Sequence, residues 1–429
     1  MEPLVSQNFL RVFCQGWAGY WVCHLTVVLC TRVVLELFGV VALFRMRRVC
    51  RAFRTWCTAK LASMPRLVAV GGRVTDCTIK SPRPKRTDGV EVLDLSTLRW
   101  SKGSVPCLPA PRGSHSACGG NGRIVVVGGL VGAVGAGADA VSTAVHWRRG
   151  SGSWSVLPNL NKARNGAAAV ALRDGRTMVI GGWDPREERP QKSVETLSAN
   201  GKLWTVIQPM ASDREGPAAA VLPDGKVLVA GGRAPSADGD AAVKTAELWE
   251  PTTGEWTALP PMAHSRCFAG CCVLPSGKVA VVGGKGSDGE RRSDGEIFDP
   301  EARQWQPLPP MAYTRGVPDA VAVAGGLLAL GSTEDSAPNE LFDEESNRWF
   351  ALPHPMAEPR KGSARVVPMP AQALAPPPAP APTAGAAGPA GTAAGASAAA
   401  GAAGCAAGSG LEKADKPKCR SGAASPRPP

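Results

Sequence analysis

The 429-residue sequence predicts an all-β fold, built from six copies of a four-stranded unit that together occupy residues 64–368. Three observations predict it. A Gly-Gly pair follows an apolar run at 71–72, 128–129, 181–182, 231–232 and 283–284, at spacings of 57, 53, 50 and 52 residues. A tryptophan follows each pair, at Trp100, Trp154, Trp204, Trp256 and Trp305, and Trp349 follows a degenerate sixth pair, Gly331-Ser332. The 50 glycines and 39 prolines supply many turns and exclude a chain dominated by long helices.

Residues 1–29 read as an apolar N-terminal extension, and residues 12–31 contain no Lys, Arg, Asp or Glu. The apolar character continues to Phe44, broken by Arg32 and Glu36. One reading of residues 12–44 is therefore a membrane anchor, which the following arginines would hold with the repeat region on the cytosolic side. In residues 30–60 apolar residues recur at helical spacing while Arg45, Arg47, Arg48, Arg51 and Arg54 fill much of the polar remainder, a pattern of short amphipathic helices. This stretch resembles the C-terminal part of an F-box: Leu35, Leu37 and Phe38 match its first helix, Leu43 and Met46 its second, and Val49-Cys50-Arg51 with Phe53 and Trp56 its ending. The resemblance implies that Leu35, Leu37, Phe38, Val49, Cys50, Phe53 and Trp56 bind a Skp-type adaptor of a cullin-RING ubiquitin ligase, in the cytoplasm or nucleus. A helical cap packed on the next domain is the competing reading.

Within a unit the order is constant, as in residues 216–256, where GPAAAVLPDGKVLVAGG leads through a variable loop to AVKTAELWEPTTGEW. Asp224-Gly225 and its counterparts Asn121-Gly122, Asp174-Gly175, Ser276-Gly277 and Gly325-Gly326 supply the positive φ of a two-residue hairpin turn between the first two strands. The run before the diglycine (IVVVGG, TMVIGG, VLVAGG, VAVVGG) is nearly all apolar, as a strand buried on both faces requires. The third strand alternates, and the fourth begins at the tryptophan. Four strands at a period near 50 resemble the Kelch repeat of β-propellers. The resemblance implies a six-bladed propeller, and an F-box followed by Kelch repeats is a familiar pairing. The first unit, from Met64, lacks a first strand, whereas the chain after Trp349 ends on a first strand without a unit. Residues around 362–367 should therefore close the ring by completing the first blade. From Met369 an Ala/Pro/Gly-rich tail runs to residue 429 with too few bulky side chains to order itself.

A propeller is a scaffold, so function is read from its faces. An arginine leads into the first strand of every unit: Arg112, Arg164, Arg214, Arg266, Arg315 and Arg360. Two roles suit it. The guanidiniums can ring the mouth of the channel as bidentate donors for an acidic protein or peptide, or they can bond loop carbonyls of their own and neighbouring blades. In the first role the ring is the candidate partner-binding site, and the variable loops 130–143, 183–192, 233–243 and 285–294 are the other binding surface.

Catalysis is not expected. His115, His146, His264 and His354 fall at unrelated phases of the repeat and Tyr313 is the propeller's one tyrosine, so no metal or cofactor site is predicted. Most of the net charge of +12 lies in the termini, where residues 1–63 hold eight basic against two acidic residues and residues 369–429 five against two, leaving +3 for residues 64–368. No basic stripe marks the folded region, which argues against nucleic acid. Thirteen cysteines without a CxxC pair indicate a reducing compartment and no zinc finger, and Cys267, Cys271 and Cys272 read as small buried hydrophobes.

Overall fold

The computed structural model describes residues 39–48, 51–75, 84–120, 122–132, 139–237, 239–331, 337–356, 360, 365–371 and 374. The apolar runs ahead of the diglycines become the second strand of each blade and are buried along nearly their whole length, as in Arg123–Val127 and Val279–Val282. Each blade is an antiparallel meander of four strands. Blade 4, for example, is Ala218–Val221, Val227–Ala230, Ala246–Trp249 and Trp256–Leu259 in that order. Six such sheets form a six-bladed β-propeller whose core lies between successive blades.

The ring closes as the repeat phase predicts. Arg365–Met369 is the innermost strand of blade 1 and pairs antiparallel with Arg66–Val70, from Arg66↔Met369 to Val70↔Arg365. It lies beside Ser116–Gly120 of blade 2 and Asp319–Val323 of blade 6. The buried region extends further than the composition suggests. Met369 is buried in the core between blades 1 and 2, and so is Leu374. The remaining tail, from 375, lies outside the described residues.

Two details of the repeat are structural rather than compositional. The loop joining the first two strands has two residues in blades 2 and 6, where Gly120↔Arg123 and Val323↔Gly326 pair. Blades 3, 4 and 5 instead use a three-residue loop, with Gly175, Gly225 and Gly277 closing a turn onto Leu172, Leu222 and Leu274. The tryptophans hook neighbouring blades together. The indole N–H groups of Trp154, Trp204 and Trp256 each donate at 2.9 Å to the carbonyls of Pro106, Pro158 and Gln208 at the end of the preceding blade. Trp305 and Trp349 donate to Pro260 and Pro309 at 2.8 Å.

Two short helices precede the ring, α1 Val40–Met46 and α2 Arg51–Ser63. They pack across the junction of blades 1 and 6. Val40, Leu43, Met46, Cys57 and Leu61 share one core cluster with Leu93 and Leu95 of blade 1 and with Val321, Val323 and Leu328 of blade 6. The Val40 N–H donates to the Ala324 carbonyl at 2.8 Å, and Arg47 Nη1 donates to the Ser96 carbonyl at 2.9 Å. Ala324 and Ser96 both lie in turns opposite the diglycines, so the helices leave the diglycine face of the ring open.

Candidate functional site

The six phased arginines do not line the mouth. Their relative exposures run from 0% to 4%, so the expectation of a ring of donors open to a ligand is corrected here. The reason is a repeated buried network. In blade 4, Arg214 Nη1 donates to the carbonyls of Gly231 at 2.7 Å and Thr245 at 3.0 Å. Its Nη2 donates to Thr245 Oγ1 and Glu247 Oε1, both at 2.9 Å, and Nε reaches Glu247 Oε1 at 3.2 Å. Glu247 Oε2 then accepts the Ala211 N–H of the incoming loop at 2.7 Å. The same pair recurs as Arg164–Glu195 at 2.6 Å, Arg266–Glu296 at 2.9 Å, Arg315–Glu340 at 2.7 Å and Arg360–Glu91 at 3.3 Å.

The backbone carbonyls of five of the arginines complete the join. Those of Arg112, Arg164, Arg214, Arg266 and Arg315 accept the N–H of Gly72, Gly129, Gly182, Gly232 and Gly284, the second glycine of the preceding blade, at 2.8 to 2.9 Å. The first glycine makes room for that approach. At Gly231 a Cβ would sit 2.2 Å from the Arg266 carbonyl oxygen. Blade 2 breaks the pattern. Its third strand carries Val145, opposite Val126, where the others carry glutamate, and Arg112 turns to Gly128 O, Thr143 O and Thr143 Oγ1 at 3.1 to 3.2 Å.

The groups that do reach the mouth stand one residue after the diglycine: Arg73, Leu130, Trp183, Arg233 and Lys285. A cluster forms over blades 3, 4 and 5. Arg233 lies over the Trp183 ring at 5.4 Å from its centroid and donates through Nε to Glu215 Oε2 at 2.8 Å, with Nη2 on the same oxygen. Burial pushes the Glu215 carboxyl up, against the pull of Arg233. Phe268, at φ +57°, lays its ring on Gly216. It ends a chain of left-handed residues, in which Gly166 donates to Ser114 at 2.8 Å, Gly216 to Gly166 at 2.7 Å and Phe268 to Gly216 at 2.7 Å. A left-handed phenylalanine is costly and persists where surrounding structure imposes it.

Behind this rim the first strands enclose a channel with a cavity of about 300 Å³, walled by alanines of blades 3 to 6 together with Cys118, Cys271 and Cys272. Burial pushes the Cys271 thiol up to about 12 and that of Cys118 to about 11, so both stay protonated and act as apolar wall. Asp319 and Arg365 face each other there at 3.9 Å, and burial raises the Asp319 carboxyl while Arg365 opposes the rise. Among the described residues no group of three or more His, Cys, Asp or Glu is placed to hold a metal ion.

The adaptor-binding residues expected from the F-box resemblance divide. Leu35, Leu37, Phe38, Val49 and Cys50 lie outside the described residues. Phe53 and Trp56 are half-buried on α2, in edge contact at 5.8 Å between ring centroids, and pack against the blade 1–blade 6 core. Of the stretch 12–44, only residues 39–44 are described, and no helix among the described residues is long and apolar enough to cross a membrane.

Six four-stranded blades closed through a C-terminal strand define a six-bladed β-propeller. Residues 216–263 and 265–312, two successive repeats of the propeller, each match the Kelch motif. Among the solved structures that match, that of YjhT covers 67% of this chain and 97% of its own, at 12% sequence identity and a TM-score of 0.54, a likeness of fold. No curated protein matches the sequence.

Proposed function

We propose that this propeller is a protein-interaction module that takes its partner on the diglycine face, over blades 3 to 5. Kelch propellers typically serve as interaction scaffolds, and the observation that favours this face is the preformed cluster of Trp183, Arg233 and Phe268 at the mouth. Tryptophan and arginine are the residue types that concentrate binding energy at protein interfaces, and a side chain already locked by Glu215 loses little rotamer freedom on binding. The basic members of the mouth suit an acidic segment of the partner. The test is proximity labelling in cells with the full chain, a mouth variant (Trp183→Ala with Arg233→Ala) and a variant of the outer blade edge (Val206→Ser). Neighbours lost in the mouth variant and retained in the edge variant support the proposal. Neighbours that depend on the edge and ignore the mouth overturn it.

The finer reading, a substrate receptor of a cullin-RING ligase, rests on the sequence resemblance of residues 33–56. The structure offers such an adaptor the exposed side of α2, including Arg51 and Arg54, because Leu43, Met46, Cys57 and Leu61 are already buried against the propeller. Co-elution of the chain with a Skp-type adaptor, lost on Phe53→Asp while the propeller stays folded, would establish that role. No co-elution leaves the helices as a clip across the seam.

A further inference from the structure

We propose a second site on the diglycine face, at the junction of blades 1 and 2, in which Arg73 and Arg86 bind the phosphoryl group of a phosphate monoester or of free phosphate. The two arginines are cross-strand partners in the hairpin of Arg73–Thr75 with Pro84–Arg86, directly opposite one another. Both side chains lie along Gly113 of blade 2, with their Cγ atoms 3.5 to 3.6 Å from where a Cβ would stand. Like charges placed opposite on a sheet repel, and burial, with Arg73 adding to it, lowers the pKa of Arg86.

No carboxylate among the described residues offsets them. Arg86 is 7% exposed and among the described residues gives one hydrogen bond, Nη1 to the Gly132 carbonyl at 2.6 Å, while the Nε groups of both arginines are buried without a partner there. Two other arginines of this face are balanced. Arg233 holds Glu215, and Arg292 holds Asp294 at 2.9 Å. The body of blade 2 adds to the imbalance, since Arg112 is 4% exposed and has Val145 at the position of its missing glutamate.

Two adjacent guanidiniums with no carboxylate partner among the described residues match a dianion with three acceptor oxygens, where a single carboxylate would neutralise only one of them. The site is separate from the aromatic cluster over blades 3 to 5, and its test needs no protein partner.

The experiment is a titration of the full-length protein with inorganic phosphate at constant ionic strength, followed by calorimetry and by thermal unfolding, for the wild type, Arg73→Gln, Arg86→Lys and Arg176→Gln on the opposite face. Saturable binding is expected in the wild type and in Arg176→Gln. It should weaken at least tenfold in Arg73→Gln, and as much in Arg86→Lys, which keeps the charge and loses the fork. Binding should strengthen from pH 5.5 to 7, as phosphate loses its second proton near ~6. Without phosphate, Arg73→Gln should melt higher than the wild type, because it relieves the repulsion, and saturating phosphate should erase that advantage. A phosphoserine peptide that binds tighter than inorganic phosphate assigns the site to a modified partner, and the reverse order assigns it to free phosphate. Absence of saturation in the wild type, equal binding in all four proteins, or a lower melting temperature for Arg73→Gln whatever the phosphate concentration would each overturn the proposal.

Discussion

Arg214→Met tests whether the phased arginines hold the propeller together from within. Arg214 is fully buried and makes five donor contacts, two to carbonyls, one to Thr245 Oγ1 and two to Glu247. Removing the guanidinium leaves Glu247, 4% exposed, with the Ala211 N–H as its remaining partner. Breaking a buried ion pair from one side costs about 3–5 kcal/mol, because the other charge stays desolvated. At roughly 2 °C per kcal/mol for a domain of this size, the melting temperature should fall by about 6–10 °C. Replacing both partners, Arg214→Met with Glu247→Leu, removes the stranded charge and should recover more than half of that loss. Thermal unfolding of the four proteins of this double-mutant cycle measures the coupling directly. A single variant that melts within 1 °C of the wild type, or a double variant no more stable than the single, would refute the reasoning.

His115 is buried, and burial, with Arg365 and Arg112 nearby, holds its pKa at about 3. The folded value is depressed below the unfolded one of 6.5, so its contribution is present above pH 6.5 and is lost progressively as the pH falls toward 3. Between pH 7 and 5 this one residue should remove about 2 kcal/mol, and His115→Leu should remove that part of the pH dependence in urea unfolding at the two pH values. Leu61→Ala on α2 should cost about 2–5 kcal/mol, since Leu61 is 1% exposed in the cluster shared with blades 1 and 6. An unchanged propeller melt would show that the helices do not brace the seam. Gly231→Ala and Gly254→Ala both place a methyl on a left-handed residue, at φ +64° and +77°. Only the former meets a backbone oxygen, at 2.2 Å, whereas nothing lies within 4 Å of the latter. Gly254→Ala should therefore cost about 1–2 kcal/mol and Gly231→Ala several times more, read from soluble yield and chemical denaturation.

The repeat was legible because period, hairpin turn and burial are local properties of the chain. The diglycine marks a close approach, the run before it a strand buried on both faces, and the missing first strand of unit 1 the place where the C-terminal strand must return. The arginine ring was legible as a pattern and misleading as a site. Its period shows that the six residues are equivalent, but it does not show which way the side chains turn. The decisive signal stood in the third strands, where Glu91, Glu195, Glu247, Glu296 and Glu340 recur in the same phase and supply the buried partner. The mouth residues had a signal as well, the position after each diglycine, where Arg73, Trp183, Arg233 and Lys285 follow one another around the ring.

By itself the sequence determined the number of blades, their strand order and the closure, since each follows from spacing along the chain. Tertiary structure alone decided what those blades present to a partner. It turned six arginines inward to five glutamates, laid Phe268 and Trp183 at the mouth and set Arg73 opposite Arg86 without a counter-charge among the described residues. It also folded the helical pair onto the seam between the first and last blades. The physical reason is that strand periodicity fixes which face a residue occupies, while exposure, pairing and charge balance depend on neighbours about 50 residues away in the next blade, or nearly 300 away across the closure of the ring.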